Sequence, residues 1–137
     1  MAQNQILERI RLELIASEHD IRYKLGAYEF VLNGLEFYLT RLGEKRHVSG
    51  QELAVGLLNF AHKQFGPLAE SVLDNYGITT TEDLGNLVYN MIELNVMSKQ
   101  EEDSLDHFTG VVSFSTFFKE VDSFTIDKTF IRKVKGA

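Results

Sequence analysis

Apolar residues along the chain recur at helical spacing in five places. Ile6, Ile10 and Leu14, with Leu7 beside them, mark a first helix. Tyr28, Val31, Leu32, Leu35 and Leu39 mark a second, which Gly43 is placed to stop. The sharpest local signal is Ser49-Gly50-Gln51-Glu52, a capping box in which the serine hydroxyl and the glutamate carboxylate satisfy each other's backbone amides. It opens a third helix, whose inner stripe is Leu53, Leu57, Phe60 and Ala61. Gly66-Pro67 closes that helix and sets proline at the start of a short fourth one carrying Leu68, Val72 and Leu73, with Gly77 as its left-handed cap.

Thr79-Thr80-Thr81-Glu82-Asp83 holds two overlapping capping boxes, Thr79 with Glu82 and Thr80 with Asp83, and so announces a fifth helix with stripe Leu84, Leu87, Val88, Met91 and Leu94. Asn95 is suited to end it in a left-handed conformation. Beyond it, Val96-Met97 and Val111-Val112 are short β-competent pieces around a charged loop, which predicts a small hairpin. Phe114, Phe117, Phe118, Phe124, Ile126 and Phe130 then follow with no single evident period. The expected fold is mainly α: one five-helix domain with a small C-terminal β-hairpin. Along it run an N-terminal helical pair (1–48), the capped helices (49–95), the hairpin and aromatic segment (96–127) and a basic tail (128–137).

The length of 137 residues suits one domain, and 44% hydrophobic with 25% charged residues is an ordinary globular balance. Cysteine is absent, which removes disulfides, thiolate metal sites and a cysteine nucleophile. Glu8, Arg9, Arg11 and Glu13 interrupt any apolar run near the start, and nothing approaches the roughly 18 apolar residues of a membrane span. A cytoplasmic protein with no membrane role and no cofactor is expected.

Three stretches, Arg46-His47-Val48-Ser49-Gly50-Gln51-Glu52-Leu53, Phe65-Gly66-Pro67-Leu68-Ala69 and Thr81-Glu82-Asp83-Leu84-Gly85, resemble a family of small uncharacterised bacterial proteins first catalogued as restricted to Verrucomicrobia and Planctomycetes. The resemblance covers roughly residues 23–118 and does not reach the tail. Tyr76 and Leu84 stand where that family tends to tryptophan and phenylalanine, changes that look like core substitutions. It implies a shared fold and assigns no activity.

Net charge is −6, but it is unevenly spread. Residues 80–127 hold ten acidic side chains against Lys99 and Lys119, whereas Lys128, Arg132, Lys133 and Lys135 make the tail basic. The order of helix, turn, helix and hairpin resembles a winged helix-turn-helix. Its would-be reading helix, residues 81–94, has no lysine or arginine, and the would-be wing carries Glu101, Glu102, Asp103 and Asp106. Binding of nucleic acid is therefore not expected, because it draws on cationic contacts to phosphate.

Asp103, Asp106 and His107 are candidate ligands for a divalent cation, though their spacing matches no metal motif. Arg41, Lys45, Arg46 and His47 form a candidate anion patch before the third helix. His19 and His62 have no visible catalytic companion. Phe114, Phe117, Phe118, Phe124 and Phe130 are more aromatic load than a domain end commonly buries, which points to an interface with a protein partner or a second copy. The expected function is a non-catalytic protein-binding or assembly module. The alternative is a small enzyme, or a metal- or anion-binding protein, with a site built from dispersed His, Asp and Glu residues.

Overall fold

A computed structural model describes residues 3–18, 20–43, 48–97 and 104–123. All five expected helices are there: α1 (Gln3–Ile10), α2 (Leu25–Leu42), α3 (Gly50–Phe65), α4 (Ala69–Asn75) and α5 (Thr81–Glu93). A sixth, α6 (Phe114–Ser123), occupies the aromatic segment.

The caps behave as their chemistry requires. Ser49 accepts from the Glu52 amide at 3.1 Å, and Glu52 accepts from the Ser49 amide at 3.4 Å. Gly43 ends α2 at φ 70°, and Asn95 follows α5 at φ 62°. After α4, Gly77 donates to the Asp74 carbonyl and Ile78 to the Leu73 carbonyl, the paired bonds of a Schellman turn, with Leu73 and Ile78 both fully buried. Gly77 is required there twice over. Its φ is 91°, and a Cβ would lie 2.3 Å from the Arg22 carbonyl oxygen.

Helix α1 runs into a π-helical turn, Arg11–Ile15, closed by the Ala16 amide donating to the Arg11 carbonyl. Ile10 and Leu14 remain buried across it. Helices α2 and α3 pack against each other through Phe30, Phe37 and Phe60, whose rings lie 5.2 to 5.5 Å apart. Helix α5 lies against both of them, burying Leu84, Leu87, Val88 and Met91.

Two expectations need correction. No strand forms among the described residues: the segment expected to be a hairpin contains the 3-10 turn Leu105–Phe108, and Val111 and Val112 lead into α6 as coil. Phe108 explains this, because it is pulled under α5 at 3% exposure and draws the chain inward where a hairpin would have projected it. The winged-helix likeness loses its wing with the hairpin.

The second correction concerns the aromatics. Phe114, Phe117, Phe118 and Val121 fall at i, i+3, i+4 and i+7, and as one face of α6 they are buried in the chain's own core at 4, 1, 4 and 2% exposure. The Phe118 ring meets Phe117 and Phe114 edge-on, at 5.2 and 6.1 Å. These three phenylalanines pack into the chain's own core and do not form an exposed apolar face. Phe124 and Phe130, of the same expectation, lie outside the described residues, as does the basic tail.

Candidate functional site

Among the described residues, a connected polar cluster joins the loop before α2 to the polar face of α5. Asp83, Asn86 and Asn90 are spaced to share that face. The Tyr23 hydroxyl donates to Asp83 at 2.6 Å and accepts from Asn86 at 3.0 Å. Asn90 donates to both Tyr28 and Asp20, at 3.0 and 2.8 Å. Asp20 in turn receives both arms of the Arg22 guanidinium, at 2.9 and 2.7 Å.

The titration of these groups follows from their partners. Hydrogen bonds from Arg22, opposed by partial burial and reinforced by Asn90, hold the Asp20 carboxyl well below the usual carboxylate range. Burial pushes Asp83 upward, but Tyr23 and the Thr79 and Thr80 amides outweigh it and leave Asp83 below its ordinary value. Burial, and then the carboxylate of Asp83, push the Tyr23 hydroxyl up. Tyr23 is 3% exposed and Tyr28 fully buried, so neither is presented to a substrate. This cluster is a latch that fixes the α1–α2 connection to α5, and Arg9 adds to it by donating to the Leu94 carbonyl at 2.8 Å.

An open groove lies on the other side of the α5 start. Two adjoining depressions of about 270 and 370 Å³ share Glu70, Thr79 and Phe114. Helix α4 contributes Glu70, Ser71 and Asp74 to the walls; the α5 start contributes Thr79, Thr80, Thr81 and Glu82; the approach to α6 contributes Ser113 and Ser115. Between them Val112 is half-buried, while Ile78 and Phe114 underlie the floor at 0 and 4% exposure. Among the described lining residues there is no lysine, arginine or histidine. Of the two capping boxes expected at the α5 start, the structure uses Asp83, which accepts from the Thr79 and Thr80 amides at 2.9 and 3.1 Å. Glu82 turns across the groove and accepts from the Gly110 amide at 3.2 Å.

Residues singled out by sequence do not converge. Arg41 is exposed and lies with its guanidinium 5.2 Å from the Phe37 ring centroid, while Lys45, Arg46 and His47 of the same anion patch lie outside the described residues. Asp103 also lies outside them; Asp106 is exposed, and the His107 β-carbon packs against Gly50 at the start of α3. His62 stands ten positions beyond Glu52 on α3, about 15 Å along the axis at 1.5 Å per residue, and His19 is outside the described residues. Among the described residues no three His, Asp or Glu side chains gather in a way that could hold a metal ion. Nor is any described helix long and apolar enough to cross a membrane.

Sequence reasoning did not single out Glu70 and Asp74. Their signal was present: two like charges at i, i+4 on a short helix, an arrangement that disfavours the helix by a few tenths of a kcal/mol. Neither has an ion-pair partner among the described residues. No family model, curated protein or solved structure matches the chain.

Proposed function

We propose that the protein is a non-catalytic binding module whose groove between α4, the α5 start and the α6 start takes a basic segment of a protein partner. The observation that carries this reading is the groove's lining: Glu70, Asp74 and Glu82 stand beside threonine and serine hydroxyls and the half-buried Val112, and among the described lining residues there is no cation. A lysine- or arginine-bearing peptide would supply the missing positive charge. It would also relieve the repulsion between Glu70 and Asp74, which have no ion-pair partner among the described residues. Among the described residues no three His, Asp or Glu side chains gather in a way that could hold a metal ion, so the binding reading has the more specific observation behind it.

A fluorescein-labelled octa-lysine peptide, followed by anisotropy, tests it. Binding is expected to weaken with added salt and to fall about tenfold or more in a Glu70→Gln, Asp74→Asn, Glu82→Gln variant, as charge-pair contributions of one to a few kcal/mol imply. An affinity unchanged by that triple substitution would overturn the assignment.

A further inference from the structure

We infer that the groove's resident ligand is the basic segment of this same chain, residues 128–135, bound intramolecularly, so that an outside partner must displace it. The inference rests on the binding-module reading and adds the regulation of that site.

Complementarity is the first ground. Lys128-Thr129-Phe130-Ile131-Arg132-Lys133-Val134-Lys135 carries four basic residues and no acidic one, with Phe130, Ile131 and Val134 interleaved. The groove offers the reverse charge, in Glu70, Asp74 and Glu82, beside the half-buried Val112 and above a floor of Ile78 and Phe114. No other stretch of the sequence combines this density of cations with apolar side chains and a total lack of carboxylates.

Reach is the second. Phe114 and Ser115, at the start of α6, line the groove, and α6 runs ten residues from there to Ser123. At 1.5 Å per residue the helix end is about 15 Å from its beginning. Arg132 is nine residues further along the chain, and nine extended residues span roughly 30 Å. The segment can therefore return the full length of α6 with about half its reach to spare. A tether this short gives an effective concentration on the order of millimolar, which favours the segment's own groove over that of a second copy in dilute solution.

The absence of cysteine permits a clean test. A Gly136→Cys variant carrying a nitroxide is compared by ¹⁵N-amide spectra in its oxidised and reduced forms, at micromolar concentration. Broadening is expected at Glu70, Thr79, Thr80 and Ser115. It should vanish when Lys128, Arg132, Lys133 and Lys135 are all replaced by glutamine, and that neutral-tail chain should bind the octa-lysine peptide several-fold more tightly than the native chain does. Undisturbed groove amides overturn the inference. So does broadening confined to a mixture of ¹⁵N chain with separate spin-labelled chain, which would assign the segment to a second copy. Peptide binding by the neutral-tail chain without broadening in the labelled one removes this inference and leaves the binding module standing. Failure of the peptide to bind either chain removes the binding module itself.

Discussion

The Thr81 hydroxyl donates to the Phe108 carbonyl at 2.6 Å and accepts from the Val111 amide at 3.3 Å, on a residue that is 1% exposed. One side chain thus serves the helix start and both ends of the strap that crosses it. The strap replaces the expected hairpin because its polar backbone is satisfied by α5, without need of a partner strand.

Replacing Thr81 with valine keeps the volume and removes the hydroxyl, leaving a buried carbonyl without its donor. A loss of about 1–3 kcal/mol in urea unfolding is expected, with Thr81→Ser recovering most of it. A valine variant as stable as the native protein would show that the strap is held by its apolar contacts alone.

Phe108 also fixes what can stand beneath it. A Cβ on Gly85 would lie 2.8 Å from both Cβ and Cγ of Phe108. In an exposed helix interior, glycine to alanine stabilises by about 1 kcal/mol. At Gly85, within α5, the sign should invert, with Gly85→Ala losing about 1–3 kcal/mol as an overpacked site does. Thermal or urea denaturation giving a gain would refute the close seating of Phe108.

The latch between the α1–α2 loop and α5 sets a pH dependence. Asp20 and Asp83 are both held below their ordinary values, so their contribution to stability is whole above about pH 4 and is lost as pH falls through the lower folded values. Tyr23 and Tyr28 are raised, mainly by burial, so their contribution is whole below about pH 10 and is lost as pH climbs past the folded values. The urea midpoint should therefore decline at both extremes. An Asp83→Asn variant should be less stable at pH 7 and should lose less than the native chain on acidification. Parallel acid limbs for the two proteins would show that the carboxylate is not the group responsible.

What could be read in advance follows the range of the interactions. The Ser49–Glu52 cap, the Gly43 and Gly77 stops and the Leu84 to Met91 stripe are local, and their geometry is settled within a turn or two of chain. The strap is not legible locally because Val111-Val112 carries β propensity, while the interaction that overrides it comes from Thr81, thirty positions away. Helix α6 was hidden by its surroundings. Phe124, Ile126 and Phe130 blur the i, i+3, i+4, i+7 signal of Phe114 to Val121 when the whole run is taken together. The groove was illegible for a third reason: Glu70, Glu82 and Ser115 meet only after α4, α5 and α6 are packed, and each alone resembles an ordinary surface residue.

The π-helical turn at Arg11–Ile15 holds one residue more than an α-helical turn would use. Ile10 anchors one side of it and Leu14 sits within it, both in the core. The chain therefore carries a single residue of slack at this point, and its N-terminal helix is where a one-residue deletion can be absorbed by rewinding to the ordinary period. Elsewhere among the core helices, the same deletion would turn the apolar stripe away from the core by about 100°.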